Sequence, residues 1–580
     1  PPKQHKTISA AQITLLKEWI RQGAPWGRHW SYEPVARPSV PKNGEANPVD
    51  AFLADRQKKE GLSWSPEAPK SLLIRRLALD ITGLPPTPAE VAQLADAKHA
   101  DVVAHFLTKP AYGEHWARQW LDLARYADSA GYPSDPGRII WAYRDWVVKA
   151  LNRNQPFDQF VVDQLAGDLL PNPTEDQLIA TAFHRNTMTQ NEGGTSDEEF
   201  RNAAVIDRVN TTYAVFMGTT MACAQCHTHK YDPITITEYF RSYAFLNQSA
   251  DSDKRDEAPL HEIYPPGVKA QREQWMKDAA VAEAVFKKPN PAWVVGFDEW
   301  LAKGPKLTDK PIKAALDAPK DKRTKAQLKL LSDYYVRNVS PATKAERTQA
   351  DDLKKKIAAA KPVTVPIMQD LTGDKRRKTF IQLRGNWQAL GDPVEEGVPT
   401  HLARWDESFP KNRLGLARWI ASRDNPLTAR VTMNRLWETV FGVGIVRTSE
   451  EFGSQGDLPI HPELLDWLAA EFVESGWDTK KMLTLLLNSR AYRQSSASSD
   501  KLNEVDPDNR FVARGPRFRP SGEMLRDQAL AVSGLLSAKM YGAPVRPIRP
   551  NLGLSIAFGG SGDWATSTGE DRYRRSLYTD

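Results

Sequence analysis

Cysteine is nearly absent from this chain, which has two thiols, Cys223 and Cys226, among 580 residues. So sparse a count cannot decide the redox compartment by itself. Long apolar runs are also missing, and no stretch approaches the length needed to cross a bilayer. An excess of one charge is missing too, since the net charge is +6 and Lys and Arg are interspersed with Asp and Glu. The composition therefore argues against a membrane-spanning protein and gives no support to a nucleic-acid-binding surface.

Several familiar sequence signals are absent as well. The chain begins Pro1-Pro2-Lys3 with neither an initiator Met nor a signal peptide, so we expect a processed or truncated product whose start does not decide export. Phe441-Gly-Val-Gly444 lacks the spacing and the preceding strand of a dinucleotide-binding motif. No elbow motif supports Ser-His-Asp chemistry. These absences leave the cysteines as the strongest functional signal.

Both cysteines belong to one motif, Cys223-Ala-Gln-Cys-His227. Cys-x-x-Cys-His is the attachment sequence of c-type haem, in which the two thiols add across porphyrin vinyl groups and the adjacent imidazole binds the iron. The motif predicts one haem c in this chain, attached through Cys223 and Cys226 with His227 as the proximal iron ligand.

Three other interpretations of these residues stay open. A redox-active Cys-x-x-Cys pair would need a thioredoxin-like strand and helix, and it would give His227 no role. A zinc site built from both thiols and two histidines would be cramped, because the ligands crowd together in sequence. A structural disulfide between the two cysteines is the third alternative.

The opposite face of the iron would decide the function, since a Met or His ligand gives a closed electron-transfer centre and an open position allows catalysis. The candidates for that position are Met188, His184, Met217 and His461. His229 is only two residues from His227, so we expect it to contact a haem propionate or a substrate instead.

Carboxylates and imidazoles near the motif are candidates for removing a proton from a substrate. They are His229, Asp232, Asp128, Glu192 and Asp207. Arg208, next to Asp207 on the predicted helix before the motif, is a candidate contact for a propionate or a substrate. The alternative for Asp207 and Arg208 is a solvated ion pair on a helix face, which would contribute little to stability.

Hydrophobic periodicity and turn signals predict a mainly α, multi-domain protein with a small β module between two helical domains. The expected segments are 1–24, the tail of an upstream domain; 25–47, a Pro-rich linker; 48–262, a helical domain with the motif; 263–361, a charged helical insert; 362–408, the β module; and 409–580, a C-terminal helical domain.

Local patterns place the elements within these segments. Helices are expected at 9–22, 112–126, 139–152, 157–169, 412–422, 426–440, 462–474, 478–488 and 520–537. Ser9 is the expected cap of the first helix, and Ser196 or Asp197 is the expected cap of the helix that leads to the motif. Residues 363–368 and 378–383 alternate like two strands, with Gly373-Asp374 near the turn between them.

Seven motifs follow one another in a fixed order. They are Trp120-Leu-Asp-Leu-Ala-Arg-Tyr-Ala-Asp128, Glu192-Gly-Gly194, Asp207-Arg-Val-Asn-Thr-Thr212, Cys223-Ala-Gln-Cys-His-Thr-His-Lys-Tyr-Asp-Pro233, Asn434-Arg-Leu-Trp437, Phe441-Gly-Val-Gly-Ile-Val446 and His461-Pro-Glu-Leu-Leu-Asp-Trp467. In this order they resemble large planctomycete and verrucomicrobial cytochrome c-like proteins, which have an N-terminal cytochrome c-like domain and two successive domains of unknown function. The resemblance covers nearly the whole chain except the charged insert.

The resemblance carries its own expectations. It implies that residues 1–24 are the tail of the cytochrome c-like domain, that a second haem and its Met ligand lie upstream of residue 1, and that relatives continue past Asp580. Such proteins accompany polysaccharide-degradation systems. We therefore expect a periplasmic or otherwise extracytoplasmic haem c protein, a redox enzyme that oxidises an organic substrate such as a carbohydrate and passes electrons to a cytochrome or similar partner. The alternative is a non-catalytic electron-transfer or scaffold cytochrome.

Overall fold

The computed structural model describes residues 8–24, 27–251, 254–288, 290–548 and 565–580. The chain divides into unit 1, formed by Pro1–His261 with Val365–Asp580, and unit 2, formed by Glu262–Thr364. Helices dominate the described residues, and the strands form two small two-stranded sheets. The prediction of a mainly α protein with little β structure is confirmed.

The first part of unit 1 is helical up to residue 247. Its helices are α1 (Ala10–Arg21), α2 (Pro48–Lys59), α3 (Lys70–Thr82), α4 (Pro88–Leu94), α5 (His99–Leu107), α6 (Ala111–Leu123), α7 (Trp141–Asn152), α8 (Phe157–Ala166), α9 (Glu175–Ala180), α10 (Asp197–Met217) and α11 (Ile236–Asn247). Ser9 caps α1 through a reciprocal bond with Gln12, and the Ser196 hydroxyl accepts the Glu199 N–H at the start of α10, so both predicted caps are confirmed.

Strand β1 (Leu260–Ile263) comes next, and the insert then forms unit 2. The helices of the insert are α12 (Val268–Val285), α13 (Phe297–Ala302), α14 (Lys310–Asp317), α15 (Lys325–Asn338) and α16 (Lys344–Ala359). A small core forms around Ile312, Ala315 and Leu331. Arg337 bridges Glu283 on α12 and Asp351 on α16, at 2.8 Å and 2.6 Å. The charged segment is thus helical, as its composition predicts.

The remaining strands are β2 (Val363–Pro366), β3 (Thr379–Gln382) and β4 (Leu390–Val394). Both strands expected from the sequence are present, but they do not pair with each other. Strand β2 pairs with β1, and β3 pairs antiparallel with β4, with Thr379 opposite Val394. A 3-10 turn at Gly373–Lys375 lies between β2 and β3, at the position expected from the sequence, but it closes no hairpin because the partner of β3 lies further along the chain.

The last part of unit 1 is helical again. Its helices are α17 (Arg413–Ile420), α18 (Thr428–Phe441), α19 (Pro462–Glu474), α20 (Thr479–Leu487), α21 (Arg490–Arg493), α22 (Asp500–Val505) and α23 (Gly522–Val532). Each helix expected from the sequence is present, with ends that differ by up to five residues. None of the helices in the described ranges is long and apolar enough to span a membrane.

Buried polar contacts join the two helical parts of unit 1. Arg413 on α17 binds Asp168 at 2.6 Å, and the Asp50 carboxylate on α2 accepts the N–H groups of Arg490 and Ala491 at 2.7 Å and 2.9 Å. The expected domains 48–262 and 409–580 therefore pack within one unit, whereas the boundaries of unit 2 lie within a few residues of those expected for the insert.

Candidate functional site

The Cys-x-x-Cys-His motif lies on a turn at the surface of unit 1. Helix α10 ends at Gly218, whose left-handed backbone (φ +53°) turns the chain away from the helix axis. A 3-10 turn, Ala222–Gln225, follows, with Met221 and Ala224 buried on its inner side. The two apolar side chains hold the turn against the core, so the remaining side chains of the motif face outwards.

Cys223 and Cys226 are both exposed and carry free thiols. The connection after β3 packs closely against the second thiol: a Cβ on Gly385 would lie 2.7 Å from Cys226 Sγ, and the backbone of Gly385 is left-handed (φ +73°). Glycine is therefore needed there for both space and conformation. Solvent can reach both sulfurs, although the β3–β4 connection covers one side of Cys226.

The imidazole of His227 is exposed beside the thiols, and its Nδ1 lies 2.7 Å from the carbonyl oxygen of Thr228. A carbonyl oxygen only accepts hydrogen bonds, so Nδ1 must carry the proton. The neutral ring then presents the lone pair of Nε2. Metal-binding histidines commonly have this arrangement, in which the bonded nitrogen fixes the tautomer of the other.

His229 is buried, unlike His227. Its Nδ1 accepts the N–H of Asp232 at 2.8 Å, so the proton of the neutral ring lies on Nε2. Nε2 is buried and has no hydrogen-bond partner among the residues that the structure describes. The ring is therefore enclosed by protein, and contact between His229 and a propionate or substrate stays a prediction.

Asp232 lies at the centre of a buried polar cluster that sequence analysis anticipated only in part. Its Oδ1 accepts the Tyr32 hydroxyl at 2.8 Å and the Ser454 N–H at 2.7 Å. Burial alone would raise its pKa, but these hydrogen bonds hold the pKa below the usual range. Asp232 is thus an ionised carboxylate that joins residues far apart in sequence.

Glu451 brings a second carboxylate to Asp232. A Cβ on Gly453 would lie 2.5 Å from Glu451 Oε1 and 2.7 Å from Asp232 Oδ2, so only a glycine fits between the two groups. Burial raises the pKa of Glu451, and the charge of Asp232 raises it further. The Thr220 hydroxyl, three residues before Cys223, donates to Glu451 Oε2.

Tyr32, Ser454 and Glu451 were not identified from the sequence. Tyr32 lies 200 residues from Asp232 along the chain, in the Pro-rich segment, and the other two lie in a polar loop after α18. No local periodicity links such positions. The only hint in the sequence is Gly453, a glycine within an acidic loop.

The four candidates for the distal iron ligand make their contacts elsewhere in unit 1. The Met217 sulfur accepts the Asn425 amide at 3.8 Å, and half-exposed Met188 packs against Gly131. His461 Nε2 donates to the Arg510 carbonyl at 2.9 Å, and burial lowers its pKa to about 4.

His184 is fully buried and has a pKa well below the usual range because of burial and the guanidinium groups of Arg413 and Arg208. The described contacts bring none of these four candidates to His227. The identity of the distal ligand stays a prediction.

The remaining candidates are dispersed. Asp128 accepts the Tyr126 hydroxyl at 2.7 Å, and burial raises its pKa. Exposed Glu192 lines a small cavity of about 210 Å³. Asp207 pairs with Arg125. Of the candidates for proton removal, only His229 and Asp232 are brought together.

Arg208 does not pair with Asp207. It is buried, binds Asp251 at 2.6 Å and donates to the His184 carbonyl at 2.7 Å. The solvated pair considered from the sequence is therefore absent, and the Arg208 guanidinium is fully engaged inside the protein.

A cavity of about 870 Å³ opens beside the cluster. It lies among α6, α10, α18 and the loop that contains Glu451, with Arg435, Glu438, Asp122 and Thr211 on its walls. Glu451 belongs both to this cavity and to the Asp232 cluster, so the chain provides a short polar connection from the cavity to the turn that bears the motif.

A zinc site and a thioredoxin-like cysteine pair each require a particular arrangement of residues around the two thiols. A zinc site needs about four ligands around one point, and the part of the chain that the structure describes contains no group of three or more His, Cys, Asp or Glu side chains placed to hold a metal ion. A thioredoxin-like pair would follow a strand, whereas Cys223 and Cys226 follow helix α10.

Comparison with known proteins finds two matches. Residues 48–251 match PSCyt2, described as a protein of unknown function (DUF1549), and residues 412–580 match PSD1, described as a protein of unknown function (DUF1553). The chain thus carries two successive domains of unknown function, with the motif in the first and Glu451 in the second. No curated protein and no solved structure matches the chain.

Proposed function

We propose that this chain is a c-type haem protein, with one haem attached through Cys223 and Cys226 and with His227 as the proximal iron ligand. The observation that carries the proposal is the combination at the turn: two exposed free thiols, and an exposed imidazole whose Nδ1 proton is held by the Thr228 carbonyl. This donor set fits the group, because both sulfurs are available for bonding and the Nε2 lone pair is free to bind a metal.

Attachment needs no external oxidant. Each thiol S–H would add across one vinyl C=C, so that a carbon–sulfur bond forms and the thiol proton ends on the neighbouring carbon. Cys223 and Cys226 must be reduced for this reaction, and both are free thiols in the fold. When bound, the haem supplies one-electron chemistry.

We assign the protein to redox catalysis on an organic substrate, with electrons passed to a cytochrome or similar acceptor. The cavity supports this assignment, because Glu451 lines it and also bonds Thr220, three residues before Cys223. A carboxylate with a raised pKa at that wall is suited to accept a proton from a bound substrate. The carboxylate of Asp232 lies across Gly453 from Glu451, and its negative charge helps to keep the pKa of Glu451 raised.

The surface position of the motif favours a second candidate, a non-catalytic electron-transfer protein, because a partner can approach Cys223 and His227 directly from solvent. Export to the periplasm or another extracytoplasmic compartment belongs to both candidates, since haem is attached to c-type proteins outside the cytoplasm. A carbohydrate as substrate and a second haem upstream of residue 1 remain proposals from the family resemblance.

Expression in a host equipped for periplasmic haem attachment tests the proposal. We expect the intact mass to increase by one haem and the pyridine haemochrome spectrum to be that of a thioether-linked haem. The double variant Cys223→Ser with Cys226→Ser should lose the pigment, whereas Gln225→Ala, between the two thiols, should keep it. An unmodified mass in the wild type would overturn the proposal.

External ligands separate the two candidate functions. Carbon monoxide or imidazole should shift the Soret band if the second axial position is open, which catalysis requires. A low-spin spectrum that these ligands leave unchanged would favour the electron-transfer protein.

A further inference from the structure

The cavity of about 870 Å³ is built by both matched segments of the chain. Helices α6 and α10 come from the first, and α18 with residues 447–451 comes from the second. Its volume is within the range of small-molecule sites. Because the walls come from elements distant in sequence, the cavity exists only when both segments fold together.

Carboxylates outnumber arginines among the charged groups of its lining. They are Asp122, Glu438, Glu450 and Glu451, against Arg125, Arg435 and Arg447. Two of the lining cations are already paired with carboxylates outside the cavity, since Arg125 binds Asp207 and Arg447 lies 3.5 Å from Asp508. An anionic ligand would therefore face more carboxylate charge than available guanidinium charge.

Arg435 is the cation that remains. Its guanidinium donates to the Ala214 carbonyl at 2.9 Å and to the Val215 carbonyl, and the carboxylates of Glu450 and Glu438 act on it through their charge. Burial lowers its pKa to about 10, so Arg435 stays charged at neutral pH. The positive charge of Arg435 would repel an ammonium group that entered the cavity.

Neutral hydrogen-bonding groups fill the rest of the polar wall. Hydroxyls come from Thr211, Thr439, Thr448 and Ser449, and an amide comes from Gln119. Within the wall, Thr439 donates to Gln119 at 2.7 Å and Ser449 donates to Glu438 at 2.5 Å. No aromatic side chain is among the lining residues.

We infer that this cavity binds a neutral polyhydroxylated small molecule of mono- or disaccharide size. Ligand hydroxyls can donate to the carboxylate and hydroxyl oxygens of the wall and accept from the Arg435 guanidinium, whereas an anionic group cannot donate to the carboxylates and an ammonium group cannot accept from Arg435. This inference deepens the proposed redox function by giving it a substrate site, although binding itself does not require haem.

Isothermal titration calorimetry with probes of one skeleton tests the charge argument. D-glucose, D-glucuronate and D-glucosamine share one pyranose ring and differ mainly in charge, and D-galactose, D-xylose and cellobiose extend the neutral series. We expect at least one neutral sugar to bind about tenfold or more tightly than glucuronate and glucosamine. Failure of every neutral sugar to bind, or tightest binding by glucuronate or glucosamine, would overturn the inference.

Two variants locate the site. Ala214→Leu adds bulk to the wall of the cavity, and Glu450→Gln removes one carboxylate from an exposed position, so we expect each to weaken neutral-sugar binding by about tenfold. Glu504→Gln, exposed on α22 and outside the lining, is the matched control and should bind like the wild type. Equal affinity in all three would place the sugar elsewhere and contradict the assignment.

The haem-free double cysteine variant separates this inference from the proposed function. If it binds sugar like the wild type while the wild type gains no haem, the site stands and the redox proposal fails. If the wild type carries haem but binds no neutral sugar, the redox proposal stands and the site fails.

Discussion

Two regions joined by helix α10 are built in opposite ways. Midway along the helix, Arg208 is buried and its guanidinium is fully used by Asp251, Ser249 and the His184 carbonyl. Just beyond its end, the thiols and imidazole of the motif are exposed. The first region stabilises unit 1, and the second leaves reactive groups available, so stability and proposed chemistry are carried by different residues.

The largest effect should come from breaking the buried region. Asp251→Asn removes the charge that binds Arg208 at 2.6 Å and leaves that guanidinium uncompensated in the core. We expect a loss of about 3–5 kcal/mol in the free energy of unfolding, measured by chemical denaturation. Asp207→Asn, on the same helix but with a partly exposed pair to Arg125, is the control and should cost less than about 1 kcal/mol. Equal losses of stability in the two variants would contradict the view that the buried pair, and not the partly exposed one, stabilises unit 1.

The pH dependence of stability tests a partly buried contact between the two helical parts of unit 1. Asp80 on α3 accepts the Tyr492 hydroxyl at 2.7 Å, and burial raises its pKa to about 7, although Tyr492 and Arg76 oppose the shift. Between about pH 4 and 7 the folded state keeps a proton that the unfolded state releases, so stability should fall as the pH rises, by about 2–4 kcal/mol in total.

Asp80→Asn checks that assignment, because the amide stays neutral over the whole range. In denaturation at a series of pH values, the free energy of unfolding should fall less steeply with rising pH for the variant than for the wild type. The sign is opposite to that of Asp251, whose pKa its arginine neighbours lower despite burial, so that its contribution is lost as the pH falls. Parallel curves for wild type and Asp80→Asn would remove Asp80 as the cause.

The contact between the carboxylates of Asp232 and Glu451 should give an intermediate effect. Gly453→Ala places a Cβ 2.5 Å from Glu451 Oε1, so a carboxylate or the loop must move. We expect a destabilisation of about 1–3 kcal/mol in chemical denaturation. Gly193→Ala, where a Cβ meets nothing within 4 Å, is the matched control and should stay within about 0.5 kcal/mol of the wild type. If Gly453→Ala leaves the free energy of unfolding unchanged, the carboxylates of Asp232 and Glu451 have room to move apart.

Features that depend on neighbouring residues could be predicted from the sequence. Ser9 and Ser196 cap the helices that they were expected to cap, because a cap needs only residues within one turn. The Cys-x-x-Cys-His motif also depends only on neighbouring residues. The turn places Cys223, Cys226 and His227 side by side at the surface.

Long-range pairings could not be predicted. The alternation of β2 and β3 was visible, yet each pairs with a strand that the sequence did not reveal, because alternation specifies a face and not a partner. Arg208 looked like a partner of Asp207 by adjacency, but its charge is matched by Asp251, 43 residues away. Tyr32 and Glu451 reach Asp232 only through the folding of distant segments.

The smallest effect on stability should come from the motif itself. Cys223→Ser exchanges an exposed sulfur for an oxygen, so the free energy of unfolding of the haem-free chain should change by less than about 0.5 kcal/mol. Met221→Ala, two residues earlier but buried, should cost about 2–5 kcal/mol in the same denaturation experiment, because it leaves a cavity under the turn. A large loss in Cys223→Ser would mean that the thiol supports the fold, and the separation of stability from chemistry along α10 would then fail.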